Sequence, residues 1–166
     1  MTMREECIVR SIGHTGITVS NLERSIAFYR HALGLTVSDP LHLSDAAVSR
    51  ITGIERAELD VAYVRAPGHV LELMCFARPR SDRPSELIPC DPGFFHICLK
   101  VNNVENVVDA ARSAGFEAQN PIEVFSDGPA RGMKVVYLRD PDGVVIELAE
   151  EPCGLIFEEL FFPETD

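Results

Sequence analysis

His14-Thr-Gly-Ile-Thr-Val-Ser-Asn-Leu-Glu23 and His96-Ile-Cys-Leu-Lys-Val-Asn-Asn-Val-Glu105 are two versions of one segment, set 82 residues apart. At that offset histidine meets histidine, and Ile17/Leu99, Val19/Val101, Leu22/Val104, Glu23/Glu105 and Ile26/Val108 follow in order. Further on, Tyr63-Val-Arg-Ala-Pro67 matches Tyr137-Leu-Arg-Asp-Pro141. Each of these leads into an apolar strand holding a single carboxylate, Glu72 in Val-Leu-Glu-Leu and Glu147 in Val-Ile-Glu-Leu. So many matches in the same order indicate duplication of one supersecondary unit.

Each half reads as a strand, a helix and then further strands. Residues 12–19 alternate, with Ile17 and Val19 on one face and His14, Gly16 and Thr18 on the other. Ser20-x-x-Glu23 and Asn102-x-x-Glu105 have capping-box spacing and predict helix starts. Leu22, Ile26, Tyr29 and Leu33 continue at helical spacing, and Gly34 and Gly115 stand where a left-handed C′ residue is wanted. Asp140-Pro-Asp-Gly143 is turn chemistry between two strands, and Ser44–Ile51 can form a short helix. The expected architecture is α+β: two tandem βαβββ modules, residues 8–76 and 93–152, within one domain spanning 8–152. The proline-rich stretch 77–92 joins them, and 153–166 is a C-terminal tail.

Strand parity places potential ligands. If Ile17, Val19, Ile97, Leu99 and Val101 face the helices, His14 and His96 point the other way, together with Cys98 and Lys100. Leu71, Leu73, Ile146 and Leu148 likewise turn Glu72 and Glu147 away from the apolar side. Carboxylates in apolar strands are costly unless paired or metal-bound. Two histidines and two glutamates at repeated positions point to one divalent metal site of His14, Glu72, His96 and Glu147. Imidazole and carboxylate suit Ni, Co, Zn, Mn or Fe(II). Tyr137, Cys98 and Lys100 are the further candidates for the pocket. His31, His42 and His69 read as solvated.

The stretch from His14 to Leu35, HTGITVSNLERSIAFYRHALGL, resembles the opening signature of glyoxalase I and its relatives, the vicinal oxygen chelate superfamily. The resemblance spans about residues 10 to 152. It implies paired βαβββ modules in a curved mixed sheet around a metal, with the four ligand positions falling on His14, Glu72, His96 and Glu147. It also implies a lyase or isomerase that moves a proton next to a carbonyl, on a substrate chelating the metal through neighbouring oxygens. Glu147 or Glu72 would shuttle the proton. Val136-Tyr137-x2-Asp140-Pro141-x-Gly143-x3-Glu147 is similar to part of the extradiol dioxygenase signature, so an Fe(II) dioxygenase is the alternative. That signature also carries a histidine before the tyrosine, whereas no histidine follows His96 here. A non-catalytic ligand- or antibiotic-binding protein is the third reading.

The chain has 166 residues, 46% of them hydrophobic, which supports a packed core. Its formal charge of −11 repels phosphate backbones, so nucleic acid is not an expected partner. No apolar run has the length of a membrane span, and none resembling a signal peptide opens the sequence. Five scattered cysteines without a C-x-x-C pair fit a reducing, cytoplasmic setting. Open sheet edges and the apolar tail Leu155–Phe162 predict a homodimer acting on a small molecule.

Overall fold

The computed structural model describes residues 9–155. The expected apolar tail therefore lies almost wholly outside the described residues. The chain divides into two compact units. The first holds the residues up to Arg30 and Gly34–Ser81; the second holds the residues from Asp82 onward, with His31–Leu33 grouped with it.

In the first unit, β1 (Thr15–Thr18) leads to α1 (Leu22–Ala27), which runs on as a π-helical turn, Phe28–Ala32. Then come β2 (Thr36–Val37), β3 (Leu41–Leu43), α2 (Ala46–Thr52), β4 (Glu58–Ala66) and β5 (His69–Arg78). The sheet order is β1-β5-β4-β2, with β3 also on β4. β1 is parallel to β5, and the other pairings are antiparallel. The second unit repeats the plan with β6 (His96–Lys100), α3 (Val104–Arg112), β7 (Glu117–Ala118), β8 (Glu123–Val124), β9 (Lys134–Arg139) and β10 (Val145–Glu150). Its order is β6-β10-β9-β7, with β8 also on β9 and β6 parallel to β10. The α+β class and the doubled βαβββ plan are as expected. Each sheet has five strands rather than four, because one short extra strand, β3 or β8, pairs with the first strand of the closing hairpin, β4 or β9.

The apolar faces fall where the alternation puts them. Ile17, Val19, Leu71 and Leu73 are buried in the first unit, and Ile146 and Leu148 in the second; Ile97, Leu99 and Val101 are only half-buried. α1 buries Leu22 and Ile26, and α3 buries Val104, Val108 and Ala111. At the end of the π-helical turn, Gly34 takes φ +67°, and the next N–H, of Leu35, reaches the Tyr29 carbonyl at 2.9 Å. Among the described residues no helix is long and apolar enough to cross a membrane.

The helix caps differ from the sequence expectation by one residue. Asn21, not Ser20, caps α1, its Oδ1 accepting from Arg24 N at 3.0 Å. Asn103, not Asn102, caps α3, accepting from Asn106 N at 2.7 Å. The reason lies in the sheets. Val19 N donates to Met74 O and Val101 N to Ala149 O, both at 2.8 Å, so each strand holds the chain one residue longer than the capping-box spacing assumes. A carboxylate still serves the start of α3: Glu150 Oε2 accepts from Val104 N at 2.8 Å.

The inter-module stretch is tied to the second unit. Arg139 donates from Nη1 to Ser85 O at 3.3 Å and Gly143 O at 3.2 Å, and from Nη2 to Leu87 O at 2.8 Å. Ser85 N donates to Asp142 O at 2.8 Å. Charge-assisted hydrogen bonds contribute about 1.5–3 kcal/mol where they are well shielded. The bonds to Ser85 and Leu87 are open to solvent, so Arg139→Ala is expected to cost the second unit only about 1 kcal/mol and to open 82–88 to proteases. Limited proteolysis that cuts both proteins equally would show that the clamp contributes nothing.

Candidate metal centre

In the first unit, Glu72 sits mid-β5 with Gly16 of β1 beside it in parallel register and Tyr63 of β4 opposite in antiparallel register. Leu71 and Leu73 are buried on one face, so Glu72 stands on the other with Tyr63. His14 immediately precedes β1 and brings Nε2 to 3.3 Å from Glu72 Oε2. The second carboxylate oxygen, Oε1, accepts a hydrogen bond from Tyr63 Oη at 2.8 Å. That bond raises the Tyr63 pKa, because only the protonated phenol can donate it; burial and then the charge of Glu72 push the same way.

The second unit rebuilds the arrangement. Glu147 of β10 lies beside Cys98 of β6 and opposite Tyr137 of β9. His96 Nε2 is 2.9 Å from Glu147 Oε2, and the His96 and Tyr137 rings are 5.1 Å apart. Here burial comes first in raising the Tyr137 pKa, followed by the charge of Glu147. Packing around the sulfur, then the charge and hydrogen bond of Glu147, push the Cys98 thiol up to about 12. It is a protonated neighbour of the carboxylate rather than a nucleophile. Lys100 is engaged elsewhere, with Nζ 2.7 Å from Glu151 Oε1.

The structure thus brings the four expected ligands together as two His–Glu pairs, one in each unit. Among the described residues, no three His, Cys, Asp or Glu side chains gather into one metal-holding group. The pairs nonetheless fit a metal. With bonds near 2.1 Å, adjacent donors lie about 3.0 Å apart in an octahedral shell and about 3.4 Å in a tetrahedral one. The His–Glu separations of 3.3 and 2.9 Å match that range. Both carboxylates are mostly shielded, 16% and 17% exposed, which favours a paired or ligated state.

Tyr63 is the site residue that sequence reasoning missed, although its match with Tyr137 in the repeat was a usable signal. Among the other histidines, His31 is exposed as expected. His69 is a correction: it opens β5, half-buried, and its Nε2 lies 2.8 Å from Thr15 Oγ1. The parallel pairing of β1 and β5 carries Thr15 up to the hairpin tip, a contact across 54 residues that no local pattern reveals. His42 is exposed, with Nδ1 2.9 Å from Asp60 Oδ1.

Two repeated modules each present a His, a Glu and a Tyr on the face turned from the helix. Residues 11–148 match the Glyoxalase/Bleomycin resistance protein/Dioxygenase superfamily, and the chain belongs to it. It is 28% identical to 2-epi-5-epi-valiolone epimerase from Actinomyces sp over 159 residues, covering 90% of this chain and 84% of the relative. A glyoxalase family protein from Bacillus cereus shares the fold with a TM-score of 0.71 and 22% identity, over 89% of this chain and 98% of that one. The fosfomycin resistance protein FosX from Listeria monocytogenes, solved with Mn(II) and sulfate, has a TM-score of 0.57 and 14% identity, over 93% and 99% of the chains.

Proposed function

We propose that this protein is a divalent-metal-dependent isomerase or epimerase that moves a proton at the carbon next to a carbonyl of a small substrate. The observation that carries the reading is the doubled His–Glu pair, His14 with Glu72 and His96 with Glu147. One pair supplies two donors, and a stable site wants more, so the two pairs together make up the ligand set. The similarity to an epimerase supports the class of reaction, and the Mn(II) in FosX supports a metal of this kind in the fold.

A bound divalent ion would supply Lewis acidity toward two neighbouring substrate oxygens, making the adjacent C–H more acidic. This chain's own residues then handle the proton. Glu147 or Glu72 accepts it from the carbon and returns it, and the apolar neighbours Val145 and Ala149, both buried, keep water from the Glu147 carboxylate. Fe(II)-dependent ring cleavage is the alternative, and oxygen dependence decides between them.

The purified protein is expected to hold close to one divalent ion per two modules. Glu72→Ala and Glu147→Ala should each lower that content. Unchanged metal content in both variants would sink the four-ligand reading. Turnover of an α-hydroxyketone or acyl-CoA probe should survive removal of oxygen; oxygen consumption with a catechol would establish the alternative.

A further inference from the structure

The two halves of the site are alike in residues and unlike in hydrogen bonding. Tyr63 and Tyr137 occupy the same cross-strand position, each directly opposite its glutamate. Tyr63 donates to Glu72 Oε1 at 2.8 Å. Among the described residues no such bond joins Tyr137 to Glu147; Tyr137 instead sets its ring 5.1 Å from His96. On the far side of each carboxylate the halves differ again. Gly16 lies beside Glu72, whereas Cys98, a weak thiol donor, lies beside Glu147.

The consequence for Glu72 is geometric. Its Oε1 is committed to Tyr63 and its Oε2 faces His14, so only one oxygen is presented beside the imidazole. A carboxylate with one oxygen held by a phenol is restrained from swinging to chelate through both, and loses less freedom when it ligates. On the Gly16 side the space is filled by an apolar methyl: a Cβ at Gly16 would lie 3.0 Å from Met74 Cε and 3.8 Å from Glu72 Oε2. Across the sheet, Tyr63 holds the carboxylate by a hydrogen bond while the Gly16 side offers it only Met74, and His14 approaches the other oxygen.

We propose that Tyr63 is a positioning residue that fixes Glu72 as a one-oxygen metal ligand, a task its repeat partner Tyr137 does not perform for Glu147. This rests on the metal reading above. Outer hydrogen-bond partners of ligands typically change metal affinity by about 10–100-fold.

The test measures Co(II) binding by the full-length protein, using equilibrium dialysis and the visible absorption of the bound ion. Tyr63→Phe is expected to weaken Co(II) binding about tenfold and to alter the absorption bands. Tyr137→Phe should stay within about twofold of the parent. In a Glu72→Ala background, adding Tyr63→Phe should change affinity no further, because its partner is gone. The thermal midpoint of the metal-free Tyr63→Phe protein should match the parent, which separates positioning from a folding defect. Binding by Tyr63→Phe within twofold of the parent would overturn the proposal, as would equal losses in both tyrosine variants. If the parent itself binds no Co(II), the metal reading fails first, and the tyrosine assignment falls with it.

Discussion

Glu147→Gln is expected to reduce solvent-deuterium incorporation at the substrate carbon by about 10²–10⁴-fold, the contribution typical of a general base. Glutamine keeps the shape and an oxygen donor but cannot take up a proton. Glu147 sits within hydrogen-bond reach of His96, at 2.9 Å, and no tyrosine among the described residues ties down its oxygens. Glu72 accepts from a phenol, whereas Glu147 accepts only from the weak thiol of Cys98, so Glu72 is the more firmly oriented of the two. Glu72→Gln is therefore expected to act mainly through metal retention, and excess metal should restore much of its activity. Excess metal should restore little in Glu147→Gln. Exchange measured with an α-hydroxyketone or acyl-CoA probe decides this. Full exchange in Glu147→Gln, or loss in Glu72→Gln that metal does not relieve, would reverse the assignment.

Gly143→Ala is expected to destabilise the second unit by about 2–4 kcal/mol, combining backbone strain with a steric clash. Gly143 ends the Asp140-Pro-Asp-Gly turn at φ +81°, and a Cβ there would run into the backbone of Ser85. The turn is otherwise well made: Asp140 Oδ1 accepts from Asp142 N at 2.9 Å and Val144 N at 2.8 Å. Gly128 is the control. Its φ is +70°, but nothing lies within 4 Å of its would-be Cβ, so Gly128→Ala should cost only about 1 kcal/mol from strain. Urea unfolding, followed for each unit if two transitions separate, gives both values. Equal losses at the two glycines would mean that the approach of Ser85 adds nothing.

Much of this protein is legible in the amino-acid sequence because the decisive patterns are local. The two-residue period of a strand puts His14 opposite in sense to Ile17 and Val19, and Glu72 opposite to Leu71 and Leu73, whatever the rest of the chain does. Duplication then marks the same positions twice, so the doubled topology and the left-handed Gly34 and Gly115 follow from reading one line against another, whereas the arrangement of the four acidic and histidine side chains as two separate pairs does not. Local reading went astray where a neighbouring strand intervened. Hydrogen bonds from Val19 to Met74 and from Val101 to Ala149 extend the strands and move each cap to the next asparagine.

Other features belong to the tertiary structure alone. Only cross-strand register sets Tyr63 against Glu72 and Thr15 against His69, and only the path of the inter-module stretch brings the Ser85 and Leu87 carbonyls to Arg139. The sequence places Tyr63 and Tyr137 as equals; the folded chain gives one a carboxylate to hold and the other an imidazole to pack against. A residue's face is decided by its own backbone within a few ångströms. Whether its hydroxyl reaches a partner depends on side-chain torsions and on packing from segments tens of residues away, and those exist only once the sheet has formed.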